Sequence, residues 1–249
     1  MARLLPRRNK KTGASPGTVV YSGHRSGPVT ISVIDYTADR LTEEAEVSID
    51  HALQLGDSKS VTWINVDGVH DEQIVKRIGE HLELHDLVQE DVVSPHQRPK
   101  ADPDGEHIFV VLRMLQVDHD VDRLKSEQLS IVIGPRYVIT FQEESGDVFD
   151  PLRERLRGKG GRIRRRGSGY LGYAIIDAVV DHYFTVIDDI GDVVDQLEEE
   201  LLTNPAAGTQ SRIYDLRRSL IQVRRAVWPV RELLLSLEKM DSSALGRDI

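Results

Sequence analysis

The stretch Arg212–Met240 (RIYDLRRSLIQVRRAVWPVRELLLSLEKM) constrains the fold more than any other part of the chain. Its residues Ile213, Leu216, Leu220, Val223, Val227, Val230, Leu234 and Leu237 are spaced alternately three and four apart. That period keeps one narrow apolar stripe in register along a helix, which predicts packing against another long helix. A partner precedes it: Val180, Phe184, Ile187, Ile190, Val194, Leu197 and Leu201 also lie three or four apart, and Thr203-Asn204-Pro205 breaks that helix. Two long helices with a short linker fold back as an antiparallel hairpin.

The charges of the two helices are complementary. Asp177–Glu200 carries nine acids and no Lys or Arg, whereas the second helix supplies Arg212, Arg217, Arg218, Arg224, Arg225 and Arg231. Exposed pairs contribute only about 0–1 kcal/mol each, so the apolar seam carries the stability and charge sets the pairing. Pro229 removes one helical N–H and crowds the carbonyl of Arg225, which predicts a kink.

At 249 residues and 39% hydrophobic content, the chain can bury one large core or two packed subdomains. It has no cysteine, which excludes disulfides, zinc thiolates and cysteine nucleophiles. No apolar run approaches the roughly 20 residues that cross a bilayer, and the basic N-terminus lacks the apolar core of a secretory signal. The sequence therefore reads as a soluble chain. A net charge of −9 argues against a nucleic-acid-binding surface.

Residues 1–17 read as a mobile basic arm, with ordered chain starting near Thr18–Tyr21. Thr30–Tyr36 and Val61–Val66 alternate as strands, the second with a half-buried Trp63. Between them Leu41–Leu55 reads as one or two helical turns. Asp71–Leu84 is a helix with acids at its start, and Leu87–Val93 a short one ended by Ser94-Pro95. His107–Leu115, Gln128–Ile133 and Tyr137–Phe141 are β-branched strands, with turns at Asp118–Asp122 and Pro135. Asp147–Arg157 starts another helix, capped by Asp150 with Pro151 in its first turn. The arginine-rich run Gly158–Gly169 reads as an exposed connection. The fold class is thus α/β (α+β). A layered, mixed and partly antiparallel sheet with helices against it spans 18–157, a connection 158–169 and a long antiparallel helix pair 170–241, and residues 242–249 follow.

Catalytic templates are missing: there is no glycine-rich phosphate loop, nucleophile elbow, zinc-protease helix or kinase signature. The chain does not read as an enzyme. Asp118–Asp122 begins like a calcium loop, but Arg123 and Leu129 stand where that loop needs Gly and Glu. His96 reads as a structural hydrogen-bonding residue. The cluster Arg162, Arg164, Arg165 and Arg166 reads as a solvated hinge or a partner of the acidic helix rather than a phosphate or lipid site. The carboxylates are the better lead. Asp177 and Asp181 lie four apart on one helix face, where like charges repel, and Glu90-Asp91 adds two more. Hard dications such as Mg²⁺ accept one or two carboxylates from each side while keeping much of their water. The residues alone leave a metal site and a hydrated acidic surface both open.

Eight stretches carry a resemblance. They are Thr62–Asn65 (TWIN), Leu87–Asp91 (LVQED), His96–Lys100 (HQRPK), Glu127–Ser130 (EQLS), Phe141–Glu143 (FQE), Gly146–Arg157 (GDVFDPLRERLR), Tyr170–Phe184 (YLGYAIIDAVVDHYF) and Trp228–Glu232 (WPVRE). In these the chain resembles the cytoplasmic N-terminal domain of the CorA family of magnesium and cobalt transporters, over nearly everything after residue 17. The resemblance implies a cytosolic αβα sandwich with two long helices, leading through a stalk helix to a membrane pore built by a pentamer of identical subunits. The pore and its Gly-Met-Asn signature would lie beyond Ile249. It also implies regulatory Mg²⁺ (or Co²⁺) sites between neighbouring subunits, matched here by Glu90, Asp91 and Asp177, with Asp181 one turn further. The partner carboxylate in the family lies on the neighbour's stalk, so each site would be half present. The rival expectation is a self-contained cytosolic scaffold that uses its helical hairpin for a protein partner.

Overall fold

In the computed structural model, residues 15–118, 123–159, 161–203 and 208–240 are described. Among these residues seven strands form one sheet: β1 (Thr30–Tyr36), β2 (Leu41–Glu44), β3 (Val61–Asp67), β4 (Lys100–Asp104), β5 (His107–Asp118), β6 (Arg123–Ile133) and β7 (Tyr137–Gln142). Their spatial order is β2-β1-β3-β7-β6-β5-β4. Only β3 and β7 run parallel; the other neighbours are antiparallel. Mixed pairing of this kind matches the sheet read from the sequence.

Side chains alternate across the sheet and build two cores. Ile108, Val110, Leu112, Ile131, Ile133 and Val138 face one way. They meet α4 (Asp150–Arg157), α5 (Ser168–Thr203), α6 (Thr209–Val227) and α7 (Val230–Lys239) through Leu152, Leu171, Ala226 and Leu233. Phe109, Val111, Val132 and Ile139 face the other way. There they meet α1 (Ile49–Gly56), α2 (Glu72–His81) and α3 (Asp86–Val92) through Leu53, Ile78 and Val88. Burial on both faces explains the continuous β-branched runs of β5, β6 and β7. It also corrects the reading of Trp63, which is fully buried at 1% exposure and donates its indole N–H to Thr140 Oγ1 at 2.9 Å.

The ends of the shorter helices follow local chemistry. Asp71 caps α2, accepting from the Gln73 N–H, and Ser48 caps α1, accepting from the His51 N–H. The cap expected at Asp150 is not one: Asp150 is the first residue of α4, and Phe149 precedes it without a side-chain cap. Asp147 acts there instead, accepting from the Phe149 N–H at 2.9 Å and pairing with Arg153 at 2.6 Å. Leu41–Leu55 divides into β2 and α1 rather than forming helical turns alone. Strand β4 escaped the sequence reading because Pro103 and three charged residues disguise it, and an edge position tolerates both. The Gly158–Gly169 connection is not wholly exposed, since Ile163 and Arg164 are buried in a 3₁₀ turn (Arg162–Arg165) and Arg164 Nε donates to the Thr37 carbonyl. Val19 and Tyr21 enter the second core, as the ordered start at Thr18–Tyr21 predicts. Most of the basic arm, the tip of the Asp118–Asp122 turn and the helix break at Asn204-Pro205 lie outside the described residues.

The hairpin forms, and its seam is turned in part. In α6 and α7 the buried row is Thr209, Ala226, Val230 and Leu233, while Ile213, Leu220, Val227 and Leu234 are exposed. In α5, Val179, Tyr183, Val186 and Leu197 are buried, while Phe184, Ile187, Val194 and Leu201 are exposed. Val227, Leu234, Phe184 and Ile187 each lie one residue, about 100° of helix, from a buried neighbour (Ala226, Leu233, Tyr183, Val186), whereas Val230 and Leu197 of the expected rows are buried and Val180, Ile190, Val223 and Leu237 pack against the same core. Heptad counting follows the largest side chains, whereas α6 turns small ones inward (Thr209, Ala226). Pro229 does more than kink the chain. It ends α6 and serves as the N-cap residue of α7, accepting from the Leu233 N–H through its carbonyl. Across the hairpin, Arg212 pairs with Glu200 at 2.6 Å.

This rotation gives a direct expectation. Leu233→Ala, at 1% exposure, loses about 2–4 kcal/mol in urea unfolding, while Leu234→Ala, at 46% exposure, loses under about 1 kcal/mol. Equal losses at the two positions would restore the seam read from spacing.

Candidate metal half-sites

Helix α3 presents Glu90 and Asp91 at the rim of an open cleft of about 770 Å³, which Lys100, Asp102, Asp104 and Phe109 also line. His85 starts the helix, its Nδ1 accepting from the Leu87 N–H. The other end is pinned from the sheet: Gln128 Nε2 donates to the Asp91 carbonyl at 2.9 Å, and Gln128 Oε1 accepts from the Gln97 N–H. Both carboxylates are engaged within the chain. Glu90 Oε2 accepts from the Gly17 N–H at 2.7 Å. Gly17 has φ +84 and lies so close to Asp86 that a Cβ would meet its side chain, so this approach needs glycine.

Asp91 Oδ2 lies 2.8 Å from Lys100 Nζ, which also lies 2.6 Å from Asp102 Oδ2. The ammonium sits 5.5 Å above the Phe109 ring. Burial acts to lower the Lys100 pKa, but the hydrogen bonds to Asp102 and Asp91 outweigh it and hold the lysine above its ordinary value.

Asp177 and Asp181 lie on α5, the first half-buried and the second exposed. The Tyr173 hydroxyl donates to Asp177 Oδ1 at 3.5 Å. The Asp177 charge, with burial and this hydrogen bond, raises the Tyr173 pKa. The two acidic pairs do not meet: α3 belongs to the layer on one face of the sheet and α5 to the layer on the other. Among the described residues no group of three or more His, Asp or Glu could hold a metal ion. The donors of the two acidic pairs are hard carboxylate oxygens, the kind that a hydrated Mg²⁺ accepts.

A second polar group lies beyond the far end of α3, and spacing did not single it out. Glu127 on β6 is buried, its Oε1 accepting from the Glu143 and Glu144 N–H groups and its Oε2 without a partner. Burial pushes its carboxyl up from 4.5 to about 7, against the lowering effect of those N–H groups. Arg113 is nearby, its guanidinium donating to the carbonyls of Pro95 and Ser126. The His96 imidazole hydrogen-bonds the Pro95 backbone, the kind of structural contact expected of it, while burial pushes its pKa down.

A family model described as CorA-like Mg2+ transporter protein matches residues 58–248. The chain belongs to the CorA family. It is 41% identical over 231 residues to the cobalt/magnesium transport protein CorA of Thermotoga maritima, covering 93% of this chain and 66% of that protein. A CorA of Methanocaldococcus jannaschii is 22% identical over 181 residues, covering 71% of this chain and 55% of that protein. The chain thus spans two thirds or less of the length of these CorA relatives. Among solved structures, the soluble domain of the M. jannaschii CorA superposes with a TM-score of 0.63 at 15% identity, covering 84% of this chain and 80% of that one. The ZntB cytoplasmic domain of Vibrio parahaemolyticus gives 0.63 at 15% identity, covering 88% and 83%. These likenesses establish the CorA fold. No helix among the described residues is long and apolar enough to cross a membrane.

The Glu127 environment generates a pH prediction. Its folded pKa lies above the unfolded value, so its contribution is fully present below about pH 4.5 and is lost as pH rises through about 7. Glu127→Gln keeps the Oε1 acceptor and removes the ionisation. We expect the urea stability of the variant to fall less than that of the parent, by roughly 2–3 kcal/mol, between pH 4.5 and 7.5. Parallel profiles would place the charge elsewhere.

Proposed function

We propose that this chain is the cytoplasmic cation-sensing head of a CorA-type Mg²⁺ or Co²⁺ transporter. Mg²⁺ bridges Glu90 and Asp91 of one subunit, and Asp177 with Asp181, to carboxylates of neighbouring identical subunits in a pentamer. One observation carries the reading: the acidic pairs lie on opposite layers of the sheet and cannot share an ion within one chain. Carboxylates that are incomplete alone become complete between copies, which is what a concentration sensor built on assembly requires.

The mechanism is linkage. A bridging dication stabilises the arrangement in which carboxylates of adjacent subunits face each other, and that arrangement is the closed one. When Mg²⁺ leaves, like charges repel and the heads separate toward conducting states. The equilibrium shifts only by the difference in the ion's affinity for the two arrangements. The result is negative feedback by the cytosolic ion at the inner face of the cell membrane, with no catalytic step. Family membership supports this reading, as does an oxygen-only donor set.

A second reading, a partner-binding module, is favoured by the exposed apolar rows of α5 and α6. The reading frame downstream separates the two: two apolar spans carrying Gly-Met-Asn support the transporter, and a stop codon supports the module.

The test uses the product of the full reading frame in membranes. Asp91→Asn and Asp177→Asn each shift Mg²⁺-dependent protection from proteolysis to higher Mg²⁺, by about tenfold for the loss of one charge-assisted ligand. Protection that is identical in both variants at every Mg²⁺ concentration removes these residues as the sensor.

A further inference from the structure

We propose that Lys100 is a built-in competitor of the dication at Asp91, and that it sets the Mg²⁺ concentration at which the head responds. The inference rests on the sensor reading above and adds a regulator to it.

The argument starts from β4. Lys100 and Asp102 lie two residues apart on an edge strand, so both side chains project from the same face, toward α3. From there Nζ reaches Asp91 Oδ2 at 2.8 Å and Asp102 Oδ2 at 2.6 Å. Its side chain and that of Asp91 are 29% and 21% exposed, so the pair is sheltered more than a surface bridge. The ring of Phe109 lies under the ammonium and holds it at the mouth of the cleft. A dication that takes Asp91 Oδ2 must therefore displace a cation already there.

Asp102 gives that cation somewhere to go. Lys100 can release Asp91 and keep its shorter contact to Asp102, so displacement leaves no buried charge unpaired. Without Asp102 the lysine would hold Asp91 alone, and the ion would meet a stronger competitor. Without the lysine, Asp91 would stand free and bind at lower Mg²⁺. The three residues together form an exchange device: one carboxylate is offered to the ion, one holds the lysine in reserve, and the ammonium moves between them.

The experiment follows the Mg²⁺ midpoint of protease protection in the full-reading-frame product in membranes. Lys100→Met keeps the stem over Phe109 and removes the charge, and we expect the midpoint to fall about two- to fivefold. Asp102→Asn shifts it the opposite way, to higher Mg²⁺. The decisive variant is Lys100→Met with Asp102→Asn, which leaves the local net charge unchanged. Competition predicts that its midpoint still falls, whereas a general field effect predicts the parent value. Lys100→Arg retains the cation and stays within about twofold of the parent. A Lys100→Met midpoint that is unchanged or raised overturns the proposal, as does a double variant at the parent value or a fall in Asp102→Asn. If Asp91→Asn alone leaves the response intact, Asp91 is not the ligand and the exchange at Lys100 is overturned; if Asp177→Asn leaves it intact as well, the sensor reading fails. If Asp91→Asn weakens the response while Lys100→Met does not move it, only the role of Lys100 fails. Thermal melts of the 249-residue chain separate loss of fold from loss of competition.

Discussion

A sheet buried on both faces is the constraint on which the rest of the molecule depends. Ile108, Val110 and Leu112 point into one core while Phe109 and Val111 point into the other, and each fills a layer of helices. Shifting any central strand by one residue would exchange the two sets and mispack both cores, because the side chains that trade places differ in size and shape. This rigidity fixes where the carboxylates sit. Helix α3 and helix α5 cannot approach each other through the sheet, so Glu90 and Asp91 are held apart from Asp177 and Asp181 by a packed layer. The same packed layer keeps the two acidic pairs from sharing an ion within one chain.

The fold was legible where period and punctuation agreed. Asp71 and Ser94-Pro95 bracket the helical segments that become α2 and α3, and β-branched runs mark β5 to β7. It was illegible where a residue's local pattern was outweighed by its place in the sheet. Strand β4 contains Pro103 and three charges and looks like a loop, but an edge strand loses little from a missing N–H. Trp63 reads as half-exposed because its strand alternates, yet both faces of β3 are covered. The hairpin shows the limit of heptad counting. Two apolar rows run side by side on each long helix, and the eye follows the bulkier one. Packing chose the smaller row on α6, where Ala226 allows close approach.

The candidate site divides in the same way. The acidic residues were visible because like charges at helical spacing call for an explanation. Their partners were not. Lys100 belongs to the stretch His96–Lys100, which pointed to the family, yet nothing in its spacing says that its ammonium crosses to Asp91. Gln128 lies on another strand 37 positions from Asp91 and holds that residue's carbonyl, a relation that only tertiary structure creates. The Gly17 contact to Glu90 spans 73 positions and requires a left-handed backbone at Gly17. Long-range hydrogen bonds of this kind leave no periodic trace in a single sequence.

Pro229 has a mechanical consequence. The backbone stays helical through Trp228 and Pro229, but proline lacks the N–H that would tie the turn to Arg225, and beyond it α7 lies along the edge of the sheet, where Leu233 shares a core with Ala101 of β4. Ala101 points toward α7, and its neighbours Lys100 and Asp102 point the other way, into the cleft. One short ribbon thus touches the rod with its back and the ion pair with its front. A displacement of α7 that carried β4 with it would tilt the ammonium relative to Asp91. The outermost strand is thus the one short ribbon that joins hairpin and cleft.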